Sequence, residues 1–304
     1  MPPKIVFMGS PDFALPSLYA LHTKYSIVGV ITQADKPSGR GQKISSPLVK
    51  QAAQVLGIPL IQPHKLKEEE AMRQLRAWAP DLIVVVAYGQ ILRQEVLDQP
   101  TYGCINVHAS LLPRWRGAGP IQAAILHGDA QTGVTIMKMN AGMDTGDILK
   151  QASISIPHDC NAGSLSEQLS QLGAQLLIET LPTYLKGELT AQSQDNALAT
   201  YSPKIEKSHG ELDFMLTAVE LAQHVRAYNP WPTAYTQWKG ELLKVLKAHA
   251  EDSPSLACGE RLIQGKSPAY STAKGILVLD LVQPAGKKPV SADQFLLGAK
   301  GWLT

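Results

Sequence analysis

Short β-branched apolar runs alternate, through the first half of the chain, with segments whose apolar positions recur at helical spacing. The runs at residues 4–8, 27–32, 82–87, 104–108 and 134–139 read as strands, and 13–22, 47–56 and 68–78 read as helices. The second of these helices carries end signals: Ser46 is placed to cap it, Pro47 suits its first turn, and Gly57 suits its exit. Ser164-x-x-Glu167 has capping-box spacing and opens a further helix that runs to about Lys186, before Gly187. Strand and helix in this rhythm predict βαβ units around a mostly parallel sheet.

From residue 188 the pattern lapses into polar residues and Pro203, which sets a boundary. The chain divides into 1–187, a linker at 188–209, and 210–304. After a helix at about 217–228 come strands at 234–238 and 242–248 around Lys239-Gly240, then 275–282. Several short strands in so short a span predict a small barrel. The expected fold class is therefore α/β: an N-terminal Rossmann-like, mostly parallel sheet followed by a small OB-like β-barrel. Residues 294–302 read as a terminal helix or an irregular end.

Composition narrows the class. At 304 residues the chain suits two domains, and 44% hydrophobic with 18% charged residues is an ordinary globular balance. The longest apolar run, Leu-Ile-Val-Val-Val-Ala at 82–87, falls far short of the roughly 18 residues that span a bilayer. Lys4 is followed by only four apolar residues before Gly9, too few for a signal-peptide core. Cys104, Cys160 and Cys258 are widely spaced, which argues against a disulfide framework or zinc ribbon and fits a reducing cytoplasm. The net charge is +2, with 16 basic against 15 acidic residues up to residue 189 and 12 against 11 after it. Any nucleic-acid role must rest on local clusters of cations.

The first strand leads into Gly9-Ser-Pro-Asp12, where a dinucleotide fold would carry G-x-G-x-x-G. The second and third glycines are missing and no P-loop occurs, so no nucleotide cofactor is expected. Chemistry concentrates at Cys104-Ile-Asn-Val-His-Ala-Ser-Leu-Leu-Pro-Arg-Trp-Arg-Gly117. Alternation along a strand projects Asn106 and His108 to one face, at a carboxyl end where open α/β sheets place ligands. An amide donor beside an imidazole suits a carbonyl that becomes an oxyanion, but such a pair alone is more often the polar end of a strand satisfied by backbone. Asp144, between Gly142 and Gly146, is by itself a turn former. Beside the pair it becomes a candidate carboxylate that orients the imidazole and favours its protonated form. No His/Cys cluster has ligand spacing, so no metal is expected.

Asn106-Val-His-Ala-Ser-Leu-Leu-Pro-Arg-Trp-Arg-Gly117, with Asp144 in Met-Asp-Thr-Gly-Asp147, resembles the folate-dependent formyltransferases. The likeness extends from Val6-Phe-Met-Gly-Ser-Pro-Asp-Phe13 through Gln33-Ala-Asp-Lys-Pro-Ser-Gly-Arg-Gly-Gln-Lys43 to Tyr228-Asn-Pro-Trp-Pro232 and Pro284-Ala-Gly-Lys-Lys-Pro289. Small departures are Asn140 for an acidic residue, Gly119 for Ala and Met143 for Leu. The resemblance implies transfer of a formyl group from 10-formyltetrahydrofolate, as co-substrate, to the α-amino group of methionine esterified to initiator tRNA. It implies that Asn106 and His108 donate to the oxyanion with Asp144 behind them, and that Ser110, Leu111, Leu112 and Pro113 contact the folate. Residues 1–187 would then be the catalytic domain and 210–304 a tRNA-binding barrel, in a cytoplasmic, membrane-free monomer.

Tyr88, Gly89 and Gln90 end the strand at 82–87, and their backbone is a candidate to read the pterin edge, as is the alternative of a buried turn. The polar stretch 34–46, read as a long irregular loop, carries Lys36, Arg40 and Lys43 and suits a segment that orders on an acceptor stem. By resemblance Arg40 is the leading contact; Lys43 and Lys207 join it, with Arg114, Arg116, Lys204, Lys244, Lys247, Lys287 and Lys288 as lesser candidates. Two other classes compete. A formyltetrahydrofolate hydrolase or sugar-nucleotide formyltransferase would share the trio but have less use for the cationic stretch. A non-catalytic RNA-binding module would want an aromatic platform, and aromatic residues make up only 6% of the chain.

Overall fold

The apolar runs of the first half form the middle of a seven-stranded sheet, seen in a computed structural model that describes residues 2–38, 43–253 and 257–303. In chain order its strands are β1 (Lys4–Gly9), β2 (Ser26–Ile31), β3 (Leu60–Ile61), β4 (Leu82–Val86), β5 (Cys104–His108), β6 (Gln131–Lys138) and β7 (Ile148–Ser155). Their spatial order is β7-β6-β5-β4-β1-β2-β3. The pairs β1–β2, β1–β4, β2–β3 and β4–β5 are parallel, and β5–β6 is antiparallel. β1 after Lys4 and all of β4 are buried on both faces, which is why they read as unbroken apolar runs rather than alternating ones.

Helices α1 (Leu15–His22), α2 (Leu48–Val55) and α3 (Glu69–Trp78) connect these strands. α2 buries Val49, Ala52 and Ala53, the i, i+3, i+4 stripe of an amphipathic helix. Ser46 does not cap it: the N-cap position is Pro47, and the Ser46 hydroxyl donates instead to Asp35 at 3.0 Å. The long helix α4 (Ala162–Leu185) starts two residues before the Ser164 expected to open it. Its reciprocal cap joins Asn161 and Ser164, each side-chain oxygen accepting the other's backbone N–H at 3.0–3.2 Å, in place of the Ser164–Glu167 box. The stretch 34–46, expected as an irregular loop, contains two short antiparallel strands, Lys36–Ser38 and Lys43–Ser45.

The chain divides into two units: Met1–Gly117, Thr132–Ile154 and Ser166–Tyr201 in one, and Ala118–Gln131, Ser155–Leu165 and Ser202–Thr304 in the other. The second holds an antiparallel sheet of β8 (Ala234–Trp238), β9 (Glu241–Glu251), β10 (Arg261–Gln264), β11 (Ser267–Ser271), β12 (Ile276–Pro284) and β13 (Val290–Ser291). Its order is β8-β9-β12-β11-β10, with β13 also on β12. Helix α5 (Ala218–Ala227) opens with a true capping box, Thr217 with Glu220, and buries Leu221 and Val225 on the sheet. α6 (Ala292–Gly298) and the turn after it bring Phe295 and Trp302 into the same core, where the Trp302 indole donates to the Leu262 carbonyl at 2.7 Å. Trp231, in Asn229-Pro-Trp-Pro232, is 51% exposed. Among the described residues no helix is long and apolar enough to cross a membrane.

Candidate functional site

β1 has β2 on one side and β4 on the other, so the chain order reverses there. The carboxyl ends of β1 and β4 meet in register at Gly9 and Val86, and open sheets bind ligands in the crevice outside such a switch point. A cleft of about 500 Å3 occupies that place, lined by Ser10, Pro11, Gln33, Lys36, Tyr88 and Gly89 among others. The Gln33 amide donates to the Tyr88 and Gly89 carbonyls at 3.0 and 3.1 Å and fixes this turn. The Tyr88 ring turns into the core, its hydroxyl lacks a hydrogen-bond partner among the described residues, and burial raises its pKa well above the usual phenol value. Gln90 also points away from the cleft. Its amide accepts from the Leu66 N–H at 3.0 Å and donates to the Pro63 and His64 carbonyls, tying down the 63–66 loop.

Two strands' width from β1, β5 carries Asn106 and His108 on one face. Asn106 is half-buried and its amide makes no hydrogen bond among the described residues, so donors are available at the strand's end. His108 is 6% exposed. Its Nε2 lies 3.0 Å from the Trp115 carbonyl; a carbonyl only accepts, so Nε2 carries the hydrogen. That bond sets the ring plane and turns Nδ1 toward Asp144, whose Oδ2 is 3.7 Å away. The separation is that of an ion-pair neighbour, too long for a direct hydrogen bond. Asp144 has left-handed backbone, φ 51°, and its Oδ2 accepts the Gly117 N–H at 2.8 Å. The three residues singled out in the sequence thus split into an adjacent His108–Asp144 pair and Asn106, two residues earlier on the same strand face.

The 110–113 turn is held from below. Ser110 is fully buried and its hydroxyl donates to the Arg114 carbonyl at 2.6 Å. Thr135 of β6 bonds both the Ser110 carbonyl and the Leu112 N–H, while Gln151 of β7 reaches the Leu112 carbonyl. Ser110 and Leu112 therefore build the turn, and half-buried Leu111 and Pro113 are its more accessible members.

The candidate tRNA contacts come from separate segments of the sequence. Arg40 lies outside the described residues, as does the side chain of Lys43, whose backbone begins a strand. Lys207 opens a 3-10 turn in the second unit and is exposed. Arg114 lays its guanidinium 4.3 Å from the Trp115 ring centroid. Arg116 is not a surface cation: it is 1% exposed, and its guanidinium donates to Gln194 at 3.0 and 2.8 Å and to Asn196 at 2.9 Å. Gln194 and Asn196 went unnoticed in the sequence because amides in a polar stretch carry no periodicity. Cys104 behaves as the small buried hydrophobe its strand predicts, with burial pushing its thiol up to about 12. Among the described residues no group of three or more His, Cys, Asp or Glu side chains could hold a metal ion.

Comparison with known proteins places this geometry. Residues 3–181 match the formyl transferase family and residues 204–300 match the formyl transferase C-terminal domain. The chain is 43% identical to the methionyl-tRNA formyltransferase of Roseiflexus sp. (strain RS-1) over 304 residues, 99% of this chain and 94% of that one. It is 46% identical to the enzyme of that name from Myxococcus xanthus (strain DK1622) over 299 residues, 98% of this chain and 96% of that one. Among solved structures, methionyl-tRNA formyltransferase from Clostridium thermocellum shares the fold at TM-score 0.56 and 14% identity, covering 91% of this chain and 98% of its own. HypX from Aquifex aeolicus in complex with tetrahydrofolic acid does so at TM-score 0.63 and 16% identity, covering 99% of this chain and 48% of its own.

Proposed function

Because the chain belongs to the formyl transferase family, we propose that it moves a formyl group from 10-formyltetrahydrofolate to the α-amino group of methionyl initiator tRNA. The observation that carries this reading is near-full-length identity of 43–46% to enzymes named methionyl-tRNA formyltransferase. Residues 1–187 supply the chemistry, and the linker and residues 210–304 serve the tRNA, with Arg40, Lys43 and Lys207 facing its phosphates.

In the reaction the neutral amine attacks the formyl carbon, a C–N bond forms and the carbonyl oxygen gains charge. Asn106 donates from its unengaged amide to that oxygen. His108, its ring plane fixed by the Nε2–H bond to the Trp115 carbonyl, is the second donor to that oxygen, with Asp144 beside its Nδ1. The attacking nitrogen then gives its proton to Asp144, directly or through water, and the bond from carbon to the folate N10 breaks. The proton passes on to N10, leaving tetrahydrofolate and the formylated aminoacyl-tRNA. One oxygen of Asp144 is fixed by the Gly117 N–H, which leaves the other to receive the proton. The folate lies against Leu111 and Pro113, with Ser110 and Leu112 shaping that wall and the backbone of Tyr88 to Gln90 along its pterin edge.

The test is formylation of radiolabelled methionyl initiator tRNA, with free methionine, an elongator methionyl-tRNA and an amino-sugar nucleotide as alternative acceptors. Folate-dependent label in formylmethionine from the initiator alone is expected. Transfer to the sugar, or folate turnover without transfer, would overturn the acceptor and leave the family chemistry intact.

A further inference from the structure

The Asp144 carboxylate hangs on a backbone in the left-handed region, a conformation that costs free energy and persists only where its surroundings impose it. Asn140 ties the loop before it, its Oδ1 accepting from the Gly142 N–H and the Thr145 hydroxyl, and the Gln194 side chain ties the turn itself. The Gln194 amide donates from Nε2 to the Asp144 carbonyl at 2.8 Å and to the Gly146 carbonyl at 2.7 Å, bridging the turn across Thr145. Its Oε1 accepts from both Nε and Nη2 of the buried Arg116, so the amide cannot flip without turning its NH2 group toward the guanidinium. Arg116 is flanked by the two residues whose main chain holds the acid–base pair: the Trp115 carbonyl on His108 and the Gly117 N–H on Asp144. The segment 115–117 therefore grips His108, the Asp144 carboxylate and, through Gln194, the Asp144 backbone.

We propose that Gln194 is a positioning residue for formyl transfer, which orients Asp144 toward His108 by holding its turn at two carbonyls and is itself oriented by Arg116. This rests on the role given above to Asp144. It assigns a function in the chemistry to a residue of the polar stretch that follows residue 188. Gln194 meets no reacting atom; its effect is on where the carboxylate stands, and an error on the order of 1 Å at a reacting group costs about 100-fold in rate.

The experiment compares Gln194→Glu and Gln194→Met with the full-length parent, measuring kcat, KM for the folate donor, KM for the aminoacylated tRNA, and thermal midpoint. Gln194→Glu keeps the acceptor for Arg116 and removes both donors; Gln194→Met removes both functions at similar length. Each is expected to lower kcat by about 10- to 100-fold, with both KM values within about twofold. Asp144→Asn and the pair Asp144→Asn/Gln194→Met complete a cycle, in which the second change is expected to add nothing once Asp144 is lost. Unchanged kcat in both single variants would overturn the proposal, as would an undiminished loss on the Asp144→Asn background. Parental kcat in Asp144→Asn itself would overturn the role of Asp144, a different failure visible in the same data. If Gln194→Glu does not fold, Gln194→Met carries the same readout.

Discussion

Gly173 of α4 faces Val107, the residue between Asn106 and His108, and a methyl group placed there would sit 2.8 Å from the Val107 Cγ1. It would also meet Val134 of β6 at 3.6 and 3.8 Å. Non-bonded carbons rest about 3.5–4.0 Å apart, so the first contact is short by roughly 0.7–1.2 Å. Val107 is β-branched and buried and cannot swing aside, so the helix or the strand must move. Overpacking of this kind costs about 1–3 kcal/mol, against which Gly→Ala in a helix returns about 1 kcal/mol. Gly173→Ala should therefore lower stability by about 0–2 kcal/mol in urea unfolding. Because β5 is one of the two elements that must give, and carries both residues proposed as oxyanion donors, kcat should fall by about 10-fold or more in steady-state formylation. Adding Val107→Ala should recover part of the rate, a coupling that independent sites do not show. A variant that gains about 1 kcal/mol and keeps the parental kcat, the result for an exposed helical glycine, would refute the reasoning.

Asn106→Ala should lower kcat by about 10²–10³-fold with the thermal midpoint unchanged, the usual loss of one oxyanion donor. Trp302→Ala, which empties a buried site ringed by Trp238, Tyr270 and Phe295, should cost about 3–5 kcal/mol in denaturant unfolding of the second unit. In that unit partial burial opposes the charge on His249, but hydrogen bonds to Asp280 and Glu251 outweigh it and raise the imidazole pKa above 6.5. Its stabilising contribution is thus full below pH 6.5 and lost as pH rises through the raised value, and His249→Gln should flatten that slope in unfolding measured from pH 5 to 8. Burial lowers the pKa of His224, whose contribution has the opposite sign: it is lost as pH falls below 6.5.

The parallel core was legible because strands buried on both faces leave continuous apolar runs, as in β1 and β4. β7, reading Ile-Leu-Lys-Gln-Ala-Ser-Ile-Ser at the sheet's edge, alternates weakly and escaped notice, as did the largely exposed β10 and the polar hairpin strands at 36–38 and 43–45. Side-chain capping was misassigned where a hydroxyl had a better partner: Ser46 serves Asp35, and Ser164 serves Asn161. Asn106 and His108 follow from strand alternation. The approach of Asp144 to His108 does not, because it depends on a turn shaped 50 residues away in sequence by Gln194. Arg116 shows the limit most clearly. A cation in a polar motif reads as surface, and only packing reveals that its guanidinium faces inward onto amides.

The contacts at residues 115 and 117 have a genetic consequence. The Trp115 carbonyl and the Gly117 N–H belong to the main chain, so no substitution except proline at 117 deletes either group. What mutation can change is the path of the chain, and both residues follow unusual ones, at φ 60° and 111°. Gly117 occupies a region that side chains rarely tolerate. These two positions therefore encode a conformation instead of a reagent. A substitution scan at Gly117 should rank variants by the dihedral angles each residue accepts, whereas at Trp115 the lost packing of a buried ring adds to that ranking.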